Sequence, residues 1–275
     1  MSSIRQDYDR DGYVVVSGLL TNREVAGLIA ETLAISRGER GAIPGSLTAE
    51  EVQNNDDGEI FNRFIAIHFP HKISTLVLQA LKHPGVVEIL TGLLGPNVKA
   101  MQSMLFFKQA GKPGQAWHQD EFYIPTRDRS LTGVWIALDD ATIENGCLWI
   151  LPGSHTPGVI YPTRQHDDKR FDRAREAYDF PFGAEDALPV EVKKGDVVFF
   201  NGYLLHRSLP NNASSGYRRA LVNHYMRAES LLPWNIGKPE RGRTDYRDIV
   251  MVAGVDPYRY KGIKNCSLPY LRPDI

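Results

Sequence analysis

Cysteine is scarce in this chain of 275 residues: it has two, Cys147 and Cys266, and no CxxC occurs. That excludes a disulfide framework and fits a reducing cytoplasm. A surplus of charge is lacking as well, since 32 Lys and Arg stand against 33 Asp and Glu for a net charge of -1. Nothing electrostatic therefore draws in nucleic acid or an acidic membrane. No apolar run could cross a bilayer, and Met1-Ser2-Ser3-Ile4-Arg5-Gln6-Asp7 holds no apolar signal core. The expectation is a soluble, cytoplasmic protein with no nucleic-acid or membrane partner. The sequence does not speak to its oligomeric state.

What is present is ordinary in amount and informative in arrangement. Hydrophobic content of 42% and charged content of 24% describe a globular chain long enough to bury a sizeable core. Residues 4–20 read as a short helix, a strand at Tyr13-Val14-Val15-Val16 and a turn at Ser17-Gly18. Thr21 with Glu24 is a capping box, and Val25, Leu28, Ile29 and Leu33 follow at helical spacing to about residue 36. Residues 37–60, rich in Gly, Asp, Glu and Asn, read as a surface excursion with room for one short helix. Residues 73–94 read as a second helical region, in which Pro84 opens the later segment and Gly95-Pro96 closes it. These helices are expected to buttress one face of a sheet.

From Val98 the pattern changes to short strands, predicted at 98–102, 104–109, 116–121, 132–138, 147–151, 189–193, 196–200, 205–208 and 218–226. Short strands between turn residues predict an antiparallel sandwich or small barrel, and no repeat of fixed period is visible. One domain over 1–275 is expected: helices over residues 1–97 pack on a β core at 98–226, and a C-terminal extension follows at 227–275. Asn145-Gly146 is a tight-turn signal. Residues 152–188 form a long excursion, a lid or binding loop on one reading and a plain surface insertion on the other.

Trp117-His118-Gln119-Asp120 follows the strand-like run Met104–Lys108 and the turn Gly111-Lys112-Pro113-Gly114. If residues 116–121 are extended, His118 and Asp120 face the same side. They then supply two members of a 2-His-1-carboxylate set, whose open positions non-haem Fe(II) oxygenases use. A second His-x-Asp, at His166-Asp167-Asp168, sits in a charged run and reads as a solvated loop. For the third ligand, His68, His71 and His83 lie in the helical half, His155 lies at a turn and His224 is mid-strand. His206 is selected because it follows the apolar strand Val197–Phe200 and the turn Asn201-Gly202-Tyr203, and so returns toward the same interior. Arg218 and Arg219 start a further apolar strand. Adjacent residues face opposite sides, so at most one points inward, where a guanidinium needs a fixed anion and can grip a carboxylate with two hydrogen bonds. Ser208 shares the face of His206 and can donate to the same anion.

In this order, His118-x-Asp120, Asn145-Gly146-Cys147-Leu148 with Leu151-Pro152-Gly153-Ser154-His155, Gly195-Asp196-Val197, His206-Arg207-Ser208 and Arg218, the chain resembles the phytanoyl-CoA dioxygenase family. Those proteins are Fe(II)- and 2-oxoglutarate-dependent oxygenases. The resemblance implies a mainly β fold with flanking α-helices around a double-stranded β-helix, a cupin-like jelly roll. It implies His118, Asp120 and His206 as the iron ligands and catalytic centre. Arg218 would salt-bridge the distal carboxylate of 2-oxoglutarate, with Ser208 assisting and Gln102 and Trp135 lining the pocket. Trp135 reads equally well as a core aromatic. The spacing from His206 is a residue longer than in familiar relatives, so Arg219 stays open as the anchor.

The resemblance further implies O2 as co-substrate and hydroxylation of an unactivated C–H in a small organic molecule, with succinate and CO2 released. Halogenating relatives carry a small residue at the carboxylate position, so Asp120 speaks for oxygenation. A reading from another class is a cupin-like metal protein, a non-redox enzyme or small-molecule binder, which needs the same metal ligands but no anchored keto acid. Phe122, Tyr123, residues 152–188 and Leu232-Pro233-Trp234-Asn235 are the candidates for shaping a substrate pocket. With no evident CoA-binding cluster, the substrate is expected to be a free small molecule.

Overall fold

The computed structural model describes residues 2–234 and 244–274. Its helices are α1 (Ser2–Asp11), α2 (Asn22–Ser36), α3 (Ala49–Asn54), α4 (Asp57–Asn62), α5 (Thr75–Leu81), α6 (Pro84–Leu94) and the one-turn α7 (Asp120–Tyr123). Its strands are β1 (Tyr13–Val16), β2 (Phe64–His68), β3 (Val98–Gln109), β4 (Gln115–His118), β5 (Thr132–Ala137), β6 (Leu148–Ile150), β7 (Thr163–Arg164), β8 (Glu176–Ala177), β9 (Leu188–Val190), β10 (Val197–Asn201), β11 (His206–Ser208), β12 (Tyr217–Arg227), β13 (Val250–Ala253) and β14 (Tyr270–Pro273).

An eight-stranded antiparallel sheet runs β1-β10-β5-β12-β3-β2-β14, with β13 joined to β3. A four-stranded sheet, β4-β11-β6-β9, lies across it and closes the jelly roll. Alternation along the strands assigns each side chain to a layer. On β5 and β10, Val134, Ile136, Val197 and Phe199 face outward, onto Leu28 and Ile35 of α2, Leu81 of α5 and Leu90 of α6. Their neighbours Trp135, Ala137, Val198 and Phe200 face inward, onto Leu148, Ile150 and Val190 of the smaller sheet. Each Val, Ile, Leu or Phe side chain among these taken fully from water contributes roughly 1.5–3 kcal/mol, so the doubly covered strands anchor both layers. The outer face of the smaller sheet is covered in turn by Tyr161, Ala177 and Ala187 of the 152–188 excursion.

The Thr21–Glu24 capping box of α2 forms as predicted, and Gly95 ends α6. Residues 37–62 hold two short helices rather than one, each with its own capping box, Thr48–Glu51 and Asp56–Glu59. The two strands expected at 98–102 and 104–109 are one strand of 12 residues. A strand was not expected at 64–68, yet β2 stands in the middle of the helical half and carries His68. The C-terminal extension adds β13 and β14 to the large sheet. No helix among the described residues is long and apolar enough to cross a membrane.

Candidate metal centre and co-substrate pocket

The run expected to be extended from 116 to 121 is not. β4 ends at His118, and Asp120 opens α7. Alternation along a strand is therefore not what joins His118 to Asp120. The chain turns from strand to helix between them and delivers the carboxylate to the imidazole from the side. His206 arrives by register: β11 pairs with β4 so that His206 lies opposite His118, with ring centroids 4.0 Å apart.

The Nε2 atoms of His118 and His206 each stand 3.7 Å from Oδ1 of Asp120. Among the described residues these three are the group of potential metal ligands whose donor atoms converge, all within 4.8 Å of one another. Both rings are held in the same way. His118 Nδ1 donates to the carbonyl of Ala116 at 2.8 Å, and His206 Nδ1 donates to that of Leu204 at 2.9 Å. A ring with its proton on Nδ1 keeps the Nε2 lone pair for a metal. Burial, helped by the nearby His206, pushes His118 down to about 4, so its ring is neutral near pH 7. Burial alone would raise the pKa of Asp120, but the imidazoles of His206, His224 and His118 outweigh it and hold the carboxylate ionised. Two fixed imidazole nitrogens and one carboxylate oxygen, buried together, fit a divalent transition metal.

The other oxygen of Asp120 is already taken. His224 Nε2 donates to Oδ2 at 2.8 Å from β12. Sequence reading weighed His224 only as an alternative ligand and missed this role. Its alternation with Val222 and Ala220 on the inward face of β12 was the signal available.

A cavity of about 1030 Å³ opens between the sheets, and His118, Asp120 and His206 line it. Arg218 points into its deep end and is buried, whereas Arg219 points out to Asp139, at 2.7 and 2.8 Å. Arg218 lies over the ring of Trp135 at 5.6 Å and donates from Nε to the carbonyl of Gly146 at 3.1 Å. The predicted Asn145-Gly146 turn thus faces the guanidinium. Gly146 has φ +82°, and a Cβ there would come within 2.4 Å of the Leu209 carbonyl, so no side chain fits.

Opposite Arg218 on β3 is Lys108, also buried, which no sequence argument had singled out. Its Nζ donates to Ser208 Oγ at 2.9 Å and to the Leu209 carbonyl at 2.6 Å. Burial first, and then Arg218, hold the Lys108 ammonium well below its ordinary range. Burial lowers Arg218 to about 10. Among the described residues neither cation has a carboxylate partner within salt-bridge reach. Two desolvated cations side by side form a site built for an anion.

Gln102, opposite His224, and Trp135 line the same cavity. So do Phe122, Tyr123, Pro233 and Trp234, together with Asp172 and Arg175 from the long excursion. Asn235 lies outside the described residues. His166 and Asp168 stay away from the site: Asp168 is bound to Arg170 at 2.6 Å on the surface.

A model of the phytanoyl-CoA dioxygenase family matches residues 8–220. Phytanoyl-CoA dioxygenase 1 of rice, Oryza sativa subsp. japonica, is 36% identical over 164 residues, 59% of this chain and 57% of that protein. The chain thus spans little more than half the length of that relative. Among solved structures, the non-haem monooxygenase ThoJ in its apo form has a TM-score of 0.69 at 21% identity, over 92% of this chain and 84% of that one. The epimerase SnoN, solved with Fe3+, α-ketoglutarate and nogalamycin RO, has a TM-score of 0.63 at 21% identity, over 89% and 93%. At such identities the structural likeness speaks for the fold alone. The family match runs from α1 into β12 and takes in both histidines, the aspartate and Arg218: the chain belongs to the phytanoyl-CoA dioxygenase family.

Proposed function

We propose that this protein is an Fe(II)- and 2-oxoglutarate-dependent oxygenase that hydroxylates a C–H bond of a small organic molecule. The observation that carries this reading is one cavity holding two unlike sites. Near its middle, two imidazole nitrogens and a carboxylate oxygen converge, and at its deep end two cations lack an anion.

His118, Asp120 and His206 would hold the iron. With 2-oxoglutarate and O2, iron supplies oxidative decarboxylation to succinate and CO2 and the oxidising power for a C–H bond. The chain supplies position. Arg218 and Lys108 take the distal carboxylate of 2-oxoglutarate, with Ser208 held between Lys108 and the backbone N–H of Gln115, so the keto acid end is directed back toward the metal. His224 fixes Asp120 through Oδ2, which leaves Oδ1 to the metal. Phe200, 4.7 Å from the His206 ring, and Trp135 keep water from the inner wall. The anchoring pair is what favours this reading over a cupin-like metal protein without turnover, which has no use for a desolvated Arg and Lys. A cytoplasmic setting belongs to the same reading and is supported by the two free cysteines.

The test is anaerobic. Iron-loaded protein mixed with 2-oxoglutarate should develop a visible metal-to-ligand charge-transfer band, and succinate should appear on admitting O2 with an accepted substrate. A folded, iron-loaded protein that gives no band refutes the proposal. A band retained in full by Arg218→Ala would move the keto acid away from the deep end.

A further inference from the structure

The mouth of the cavity is built differently from its deep end. Phe69, Phe122, Tyr123, Trp234 and Tyr270 line it. The charges there are already engaged. Arg272 pairs with Asp172 at 3.1 Å and Lys112 with Asp274. Arg175 donates to the hydroxyl and carbonyl of Thr163, at 2.7 and 2.6 Å, and Arg127 also has a partner. Asp172 is paired, so an ammonium finds no waiting carboxylate among these groups.

On β2, a buried polar atom of the cavity wall is without a partner among the described residues. His68 is the cross-strand partner of Met104, and Met104 lines the cavity together with Gln102, Phe106 and Lys108. His68 therefore faces inward from β2. Its ring is stacked on Tyr270, centroids 4.2 Å apart and planes 8° from parallel, so its orientation is set. Its Nε2 is buried and has no hydrogen-bond partner among the described residues. Buried polar groups are almost always paired, and an exception in a ligand cavity marks a place for a ligand atom. Burial, with Arg272 nearby, keeps the ring neutral, so it offers a hydrogen bond without a charge.

We propose that the mouth binds an uncharged, ring-bearing small molecule with one hydroxyl or carbonyl oxygen, and that His68 is the residue that reads that oxygen. This rests on the oxygenase reading of the deep end. Strands β2, β3 and β12 are consecutive in the sheet. Neighbouring strands lie about 4.8 Å apart, so His68 is about 10 Å across the sheet from the β12 residue in register with it, Val222, two positions from His224. A body of two or three fused rings spans that distance. Held by its oxygen at His68 and flanked by aromatic walls, it presents its far edge to the metal centre. His68 is thus a specificity residue that acts at the opposite end of the substrate from the reacting carbon.

The probe is 2-naphthol, titrated by calorimetry into the anaerobic protein loaded with Fe(II) and 2-oxoglutarate, beside naphthalene, 2-naphthoate and acetyl-CoA. The proposal expects 2-naphthol to bind more tightly than 2-naphthoate or acetyl-CoA. His68→Phe keeps the stack on Tyr270 and removes the nitrogens. It should weaken 2-naphthol about tenfold, the size of one hydrogen bond to a neutral group, and leave naphthalene unchanged. His68→Gln, which returns an amide to the Nε2 position, should recover most of the loss and serves as the deciding variant if His68→Phe does not fold. Equal 2-naphthol affinity in wild type and both variants, or a preference for 2-naphthoate or acetyl-CoA, overturns the proposal. The charge-transfer band of the wild-type protein is read separately: if it is missing while 2-naphthol binding still depends on His68, the oxygenase reading fails and the substrate site stands.

Discussion

Two His-x-Asp tripeptides occur in this chain, and their fates differ. In His166-Asp167-Asp168 the carboxylate of Asp168 is taken by the guanidinium of Arg170, two residues on, at 2.6 Å. That neighbour, with its backbone N–H, holds Asp168 down at about 2 in open solvent. In His118-Gln119-Asp120 the carboxylate is buried, and its first partner, His224, comes from 104 residues away. One oxygen is secured by that partner and the other is left over for chemistry. What separates a metal site from a surface loop is thus which groups reach the carboxylate, and from how far along the chain.

The contrast can be broken most severely at the ligands. Asp120→Ala or His206→Ala should drop bound iron to near background and lower succinate formation by more than about a hundredfold, since even outer partners of ligands commonly carry 10–100-fold. His166→Ala with Asp168→Ala should leave iron content unchanged; metal analysis of purified protein reads both. Removing the anchor instead of the ligands separates the two sites. Arg218→Ala should raise the KM for 2-oxoglutarate about 10- to 100-fold, the range of a charge-assisted hydrogen bond, with iron content kept, whereas Arg219→Ala should not.

His224→Phe tests whether a distant partner makes the difference. Ferrous titrations should show iron affinity reduced about tenfold or more, with both histidines still in place. A smaller effect concerns pH. Lys108 must be protonated to hold a carboxylate, and burial beside Arg218 depresses its pKa. The affinity for 2-oxoglutarate should therefore fall as pH rises, sooner than an ordinary lysine would allow, and Lys108→Met should lose that dependence. Smallest of all, Asp168→Ala, which removes only the surface pair with Arg170, should change unfolding free energy by no more than about 0.5 kcal/mol.

The layered β core was legible because its strands announce themselves: Val197–Phe200 is apolar on both faces and proves to be covered on both. The proposed metal ligands were legible as residue types in order, whereas strand parity left Arg218 and Arg219 open and the family resemblance favoured Arg218. Three things were not. Phe64–His68 is a short apolar run among helices, and at that length periodicity does not separate strand from helix. Lys108 was passed over because a lysine at a strand end is exposed by default, and only the pairing of β3 with β12 buries it beside Arg218. His224 was passed over because its partner lies on another element, a relation that no local pattern encodes. The convergence of His118 and Asp120 was foreseen from strand alternation, yet a turn into α7 brings it about.

Strand β11 is only three residues long, and it seats His206 and Ser208 on one face with Arg207 on the other, packed over Trp117 at 4.6 Å. A slip of that segment by one position would turn an arginine toward the metal and send both other side chains into the aromatic layer outside. In the proposed roles of His206 and Ser208, metal holding and keto acid holding are thus yoked by a single short ribbon. Variation that shifts this ribbon loses both capacities together, and variation that leaves it alone is free to remodel the rest of the cavity without disarming the enzyme.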